Sequence, residues 1–302
     1  FRRNPNDELS LSLAFVAVRG GRIVAERYSR STRSTTRLIS WSTAKSITHA
    51  ALGVLVRDGR IDLDATPVAP EWADPSDPRH AISWRDLLGM RSGLRFDEDY
   101  VDADTSHCLE MLYGSGADDV AAYAACQPLD HEIGTVWNYS SGTTNIISRA
   151  IGSVVGGGRD GMERFLRDEL FDPIGMTSAE PRFDATGTWV GSSYLYATAR
   201  DFARFGYLYL RDGVWDGRRI LPEGWVDDAR TPTSPDGEGG FYGHQWWVAG
   251  DERGQFSANG YEGQRIVVVP SLDLVVVRLG KSPIEHAPAL AAWLREIVAS
   301  FE

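Results

Sequence analysis

Apolar residues fall into two patterns along this chain, one alternating or continuous at the ends and one helical in between. Residues 11–18 and 22–28 are β-rich runs separated by Arg19-Gly20-Gly21, which predicts a hairpin. A short extended piece follows at 38–41. Residues 42–57 then turn helical, with Ile47, Ala51, Val54 and Leu55 on one face and Gly59 as the stop signal. A Pro- and Asp-rich passage at 66–78 predicts entry into a different substructure. Helices are expected at 84–90, 120–126, 143–155 and 162–170, with Gly156-Gly157-Gly158 breaking the last two apart. Another is expected at 198–211, N-capped by Thr198, with Asp201 three residues on and Gly213 beyond its end. A short helix at 225–229 precedes a loop at 231–240. Strands are expected at 243–248, 264–269 and 274–279, with Pro270-Ser271-Leu272-Asp273 turning the last two into a hairpin, and an amphipathic helix at 288–301 closes the pattern.

Strands at both ends and helices in the middle predict an α/β (α+β) fold. Its core would be one mainly antiparallel sheet built from residues 1–66 and 178–302 and covered by helices. Residues 67–177 would form a helical subdomain beside it, and the cleft between the two is the natural ligand site.

Composition narrows the function classes. The chain has 302 residues, enough for two lobes or one large domain. Its 31 basic and 42 acidic residues leave a net charge of −11, which disfavours nucleic-acid binding. No run approaches the roughly 18 apolar residues of a membrane span. The opening Phe-Arg-Arg-Asn-Pro has no apolar signal region, so a cytoplasmic place is the working expectation, with a trimmed leader left open. Cys108 and Cys126 are expected as two buried free thiols, a single bridge being the alternative. The six histidines are scattered, and no metal or other cofactor is expected.

Among the 31 basic residues, only Lys45 and Lys281 are lysines. Ser42-Thr43-Ala44-Lys45 places a serine at a helix start and that rare lysine one turn later, on the same face. The helix N-terminus adds N–H groups suited to an oxyanion. An exposed lysine beside a capping serine has the same spelling, so the motif alone specifies little. Tyr139-Ser140-Ser141, ahead of the 143–155 helix, can aim two hydroxyls at one point or simply cap the helix through Ser141. Ala258-Asn259-Gly260-Tyr261-Glu262-Gly263-Gln264 suits either close substrate approach or a tight turn.

Taken in this order, the three elements resemble the serine β-lactamase and penicillin-binding-protein superfamily in its class C and esterase branch. The stretch from Tyr196 to Gly206 also looks like a structural signature of that branch. Two departures matter. Ala258-Asn259-Gly260 stands where β-lactamases carry Lys-Thr-Gly, and Tyr-Ser-Ser stands where they carry Tyr-x-Asn. Both features are similar to the 6-aminohexanoate-dimer (nylon-oligomer) hydrolases, as is the loop Asp97-Glu98-Asp99-Tyr100-Val101-Asp102.

The resemblance implies a β-lactamase-like fold and a serine hydrolase of carboxylic esters or small linear amides, working through a Ser42 acyl-enzyme. Lys45 or Tyr139 would be the base, and Ser141 would tie Lys45 into the network. The N–H groups of Ser42 and Tyr261 would form the oxyanion hole. Tyr100, Asn259 and Gly260 would touch substrate, with Tyr100 on the scissile amide nitrogen. A β-lactamase or D-alanyl-peptide hydrolase remains the alternative, with Arg265 standing in for the missing cation, and a silent binding module is the second. The Trp246-Trp247 pair is expected to pack a strand, the alternative being that one ring lines the cleft. Gly156-x-Gly158-x-x-Gly161 follows a helix and is expected to be a loop, not a dinucleotide site.

Overall fold

The computed structural model describes residues 11–66, 69–102, 104–237 and 239–302. The opening Phe-Arg-Arg-Asn-Pro, and Pro67 and Val68 of the Pro- and Asp-rich passage, lie outside the described residues.

An antiparallel sheet joins the two ends of the chain. Strands β1 (Leu11–Arg19) and β2 (Arg22–Tyr28) form the expected hairpin, followed by β3 (Leu38–Ile39) and helix α1 (Thr43–Arg57). Helices α2 (Trp84–Leu88), α3 (His107–Tyr113), α4 (Val120–Ala125), α5 (Ser141–Val155) and α6 (Gly158–Phe165) come next. After β4 (Glu180–Pro181) and β5 (Leu195–Ala197) come α7 (Ala199–Leu210), the small hairpin β6 (Val214–Trp215) and β7 (Arg218–Arg219), and α8 (Trp225–Arg230). The remaining strands are β8 (Ser234–Pro235), β9 (Phe241–Tyr242), β10 (Trp247–Val248), β11 (Phe256–Gly260), β12 (Gln264–Val269) and β13 (Leu274–Lys281), and helix α9 (Ala287–Ala299) follows. The main sheet runs β2-β1-β13-β12-β11-β10-β9-β8, and β3, β5 and β4 make a second, three-stranded sheet.

The continuous apolar runs of β12 and β13 follow from burial on both faces. Ile266, Val268, Val275 and Val277 face the main core with α1 and α7, while Val267, Val269, Leu274 and Val276 pack under Leu290, Leu294 and Val298 of α9. At Gly206 of α7 an added Cβ would sit 2.6 Å from Val275 Cγ1, so helix and sheet approach closely there.

Four expectations need correction. The helix at 42–57 is not one-sided, because every residue from Thr43 to Leu55 is buried. Its polar residues find partners inside: Ser46 Oγ donates to the Gln245 carbonyl at 2.7 Å and Thr48 Oγ1 to the Gly191 carbonyl at 2.9 Å. The strand expected at 243–248 is broken, with only Trp247–Val248 forming β10. Gln245 adopts the left-handed conformation (φ 60°) and its side chain ties α2 to α5, donating to the Leu88 carbonyl at 3.0 Å and accepting from Thr144 Oγ1 at 2.8 Å. The helix expected at 162–170 begins earlier, at Gly158, and widens into a π-helical turn over Leu166–Phe171. Of the two free cysteines, Cys108 is buried but Cys126 is exposed, because it lies just past the end of α4. No helix among the described residues is long and apolar enough to cross a membrane.

Candidate active site

Ser42 follows directly on a position of unusual backbone. Trp41, immediately before it, takes a left-handed conformation (φ 45°), a costly choice for a bulky residue that is tolerated where the surroundings fix it. Those surroundings are specific. Ser40 Oγ donates to the Ser193 carbonyl and accepts from Leu195 N–H, and Trp41 Nε1 donates to Glu262 at 3.4 Å. Gly260 passes so close that a Cβ there would lie 2.6 Å from the Ser40 carbonyl oxygen. Ser42 occupies the N-cap position of α1, yet its side chain makes no capping bond. Its hydroxyl instead accepts from Lys45 Nζ at 2.9 Å.

Lys45 is 1% exposed, which rules out the exposed-lysine alternative. A buried ammonium is tolerable only when each N–H finds an acceptor. The three are Ser42 Oγ, Ser141 Oγ at 2.8 Å and the Ser192 carbonyl at 3.2 Å. The Tyr139 ring lies 4.8 Å from the same nitrogen. Burial pushes the Tyr139 phenol above its ordinary range, opposed by the charge of Lys45 and by hydrogen bonding to Ser42 and Lys45. Ser140, not Ser141, caps α5, accepting from Thr143 N–H at 3.0 Å, so the Ser141 hydroxyl is left to face Lys45.

Glu98 lies on the 97–102 loop, where no sequence pattern marks it for a role. Its side chain is 8% exposed and 3.9 Å from Lys45 Nζ. One carboxylate oxygen accepts from Ser141 Oγ at 2.5 Å and from Tyr100 OH at 2.7 Å, while the other accepts from Ser141 N–H at 2.7 Å. Tyr100 therefore donates to Glu98, with its phenol pushed up by burial first and the neighbouring carboxylate second.

A cleft of about 760 Å³ opens in front of Ser42. Tyr100, Tyr139, Asn259, Gly260, Tyr261 and Arg265 all line it, so the three sequence motifs and the 97–102 loop converge on one place. Trp247 and Trp137 add apolar wall, while Trp246 is fully buried against Phe205, Tyr209 and Phe256, so the two neighbouring rings divide between cleft and core. Asn259 Oδ1 is buried without a hydrogen-bond partner, an acceptor still to be satisfied at the cleft. Arg265 donates to the Gln264 carbonyl at 2.9 Å and the Gly260 carbonyl at 3.3 Å. A second, smaller hollow of about 60 Å³ touches both Ser42 and Ser141 from behind. Cys108, Leu109 and Leu112 of α3 form its wall, a helix the sequence pattern did not reveal. Among the described residues, no group of three or more His, Cys, Asp or Glu could hold a metal ion.

Known proteins share this chain's family and fold. The Beta-lactamase family model matches residues 7–300. The 6-aminohexanoate-dimer hydrolase of Paenarthrobacter ureafaciens is 29% identical over 293 residues, covering 89% of this chain and 72% of that one. A solved structure from Bacillus anthracis assigned to the 6-aminohexanoate-dimer hydrolases superposes with a TM-score of 0.81 at 25% identity, covering 96% of this chain and 79% of the other. A family VIII carboxylesterase shares the fold at TM-score 0.71 and 16% identity, over 94% and 92% of the two chains. The chain belongs to the Beta-lactamase family of serine β-lactamase and penicillin-binding-protein relatives, with a β-lactamase-like fold and hydrolases among its kin.

Proposed function

We propose that this protein is a serine hydrolase of carboxylic esters or small linear amides. The observation that carries the reading is the buried Lys45 Nζ, 2.9 Å from Ser42 Oγ and 2.8 Å from Ser141 Oγ, beneath the Tyr139 ring. A serine hydroxyl is a weak nucleophile until a neighbouring base takes its proton. In this reading Ser42 Oγ attacks the substrate carbonyl while Lys45, as the neutral amine, or Tyr139, as the phenolate, accepts the proton. The N–H groups of Ser42 and Tyr261 stabilise the oxyanion, the first from the N-terminal end of α1. Tyr139 returns the proton to the leaving group, and the same groups then activate water against the acyl-enzyme.

The two hollows suggest how a substrate divides. The acyl group enters the 60 Å³ hollow against Leu109 and Leu112, and the leaving group lies in the 760 Å³ cleft against Trp137, Trp247 and Tyr100. The nylon-oligomer relatives make a linear amide such as the aminohexanoate dimer a reasonable substrate to test. β-Lactam or D-alanyl-peptide hydrolysis is the second reading, favoured by Arg265 in the cleft and disfavoured by Ala258 in the third motif.

The test is initial rates on a short-chain p-nitrophenyl ester, a linear aminohexanoate dimer and a chromogenic cephalosporin, each with Ser42→Ala alongside. Ester or linear-amide turnover that disappears in the variant is expected. Cephalosporin turnover well above the ester rate would replace the proposal with the second reading. Turnover that survives Ser42→Ala would remove Ser42 as the nucleophile.

A further inference from the structure

We infer that Glu98 is the proton store for Lys45, acting on it through the Ser141 hydroxyl. This rests on the serine-hydrolase reading above and gives that site a feature which Ser, Lys and Tyr alone do not supply.

The geometry is a short chain of donors and acceptors, all of it buried. Lys45 Nζ donates to Ser141 Oγ at 2.8 Å, and Ser141 Oγ donates onward to Glu98 Oε1 at 2.5 Å. Ser141 Oγ therefore accepts on one side and gives on the other, the arrangement a hydroxyl needs to pass a proton. The carboxylate is fixed at both ends, since Oε2 accepts from Ser141 N–H and Oε1 also accepts from Tyr100 OH. The two charges pair at 3.9 Å, too far for a direct hydrogen bond, so the hydroxyl is the bridge.

The chemistry follows from the difficulty that a lysine base creates. Three acceptors and a carboxylate surround Lys45 Nζ, a geometry that matches the three N–H bonds of an ammonium, and an ammonium cannot take the Ser42 proton. The relay resolves this internally. A Lys45 N–H proton passes to Ser141 Oγ while the Ser141 hydroxyl proton passes to Glu98 Oε1. The ammonium and carboxylate become an amine and a carboxylic acid, and no proton leaves the site. The amine keeps two N–H bonds for Ser141 Oγ and the Ser192 carbonyl, and its lone pair turns to the Ser42 hydroxyl. As Ser42 Oγ bonds to the substrate carbon, its proton moves to Lys45, and from there through the Tyr139 hydroxyl to the leaving group. A neutral pair in low dielectric costs less than two separated charges, which keeps the exchanged form within reach.

Other ionisable groups surround the carboxylate. Lys45 comes from α1, Tyr139 from the turn just ahead of α5, Tyr100 from the carboxylate's own loop, Cys108 from α3 and Tyr242 from β9. Burial pushes the Cys108 thiol and the Tyr242 phenol up, so both stay neutral and compete for no proton near neutral pH. Asp97 and Asp99 flank the loop on its exposed side, where Asp97 pairs with His107 and Asp99 accepts from Val101 and Asp102 N–H.

The relay makes a distinctive demand on pH dependence. Exchange between the two forms of the pair involves no bulk proton, so the native kcat/KM is expected to be flat through the neutral and mildly alkaline range. In Glu98→Gln the amine forms only by releasing a proton to water. Its kcat/KM is expected to fall at least 100-fold at neutral pH and to climb about tenfold per pH unit on the alkaline side. Ser141→Ala keeps the carboxylate, breaks the bridge, and is expected to gain the same rising limb, which reads the proposal even if Glu98→Gln fails to fold. Tyr100→Phe removes a hydrogen bond to Glu98 outside the relay and is expected to keep the flat shape. Glu98→Gln or Ser141→Ala profiles that keep the native shape, lowered only in height or shifted only in KM, would overturn the relay. Loss of the hydrolase reading itself shows separately, as activity that survives Ser42→Ala.

Discussion

Two hollows of nearly equal volume use their charged groups in opposite ways. The cleft before Ser42 holds about 760 Å³ and the groove between α7, the β1–β2 hairpin and the β6–β7 hairpin about 700 Å³. Three arginines line the groove, but each is already committed: Arg200 to Glu26 at 2.6 Å, Arg204 to Asp201 at 2.7 Å, and Arg211 to Asp273 at 2.6 Å. At the cleft, Glu98 and Tyr100 of its lining join the buried Ser141 and Lys45 in a chain of bonds that ends on Ser42. Asn259 leaves an acceptor unmet there. Volume and polarity alone do not separate the two places. What separates them is whether the polar groups close on themselves or converge on a reactive atom.

The contrast is sharpest for Tyr139. If its hydroxyl moves protons, Tyr139→Phe should lower kcat by about 10² to 10⁴ with little change in KM, while the ring still packs against Trp247 and Tyr242. Steady-state kinetics on the preferred ester settle it. A change confined to KM would reduce Tyr139 to a wall of the cleft and blur the distinction from the groove.

The next effect tests the division of the substrate. Leu112→Ala enlarges the small hollow behind Ser42 without touching its hydrogen bonds. The ratio of kcat/KM for a hexanoate ester over an acetate ester should rise at least about tenfold, the low end of what one methylene is worth in an apolar pocket. An unchanged ratio would place the acyl chain in the wide cleft instead.

Much of this was legible before any coordinates, and the reasons are physical. Residues 264–269 read as a strand because both faces are apolar, and they are one. Ser42 and Lys45 stand one helical turn apart, so their contact follows from local geometry. Glu98 stayed without a role because it lies on an irregular loop, where no period announces which side chain turns inward. Helix α3 was missed because seven residues, His107–Tyr113, are too few for a clear period. Gln245 looks like strand sequence between aromatic neighbours, and only its bonds to Leu88 and Thr144 explain why the strand breaks there. Cys126 read as buried by its type, yet its position past the end of α4 leaves it exposed.

One buried polar group belongs to neither hollow and separates stability from catalysis. His49, further along α1 from Lys45, stacks on Trp225, and its Nδ1 lies 2.7 Å from Tyr209 OH while Nε2 has no partner. Burial, helped by His244, pushes its pKa down from 6.5 to about 3. The unfolded chain therefore takes up a proton near pH 6.5 that native His49 refuses, so this contribution is present above that pH and is lost as pH falls toward 3. Between pH 6.5 and 4.5 one such proton amounts to about 1.4 kcal/mol per unit. In urea titrations across that range, His49→Gln should flatten the slope by about one proton. An unaltered slope would mean that His49 is protonated in the fold.

The smallest effect is the one that most directly separates the two hollows. Arg211→Ala removes a cation from the groove together with its bonds to Asp273 and Tyr207 OH. Because both partners are about two-fifths exposed, water screens the pair, and its loss should cost only about 0–1 kcal/mol. The groove does not communicate with Ser42 through any bond described above, so kcat/KM on the preferred ester should stay within about twofold of the native value. A tenfold loss in kcat/KM with unchanged thermal stability would show that the groove serves the reaction. The opposition between a self-paired hollow and a converging one would then fail.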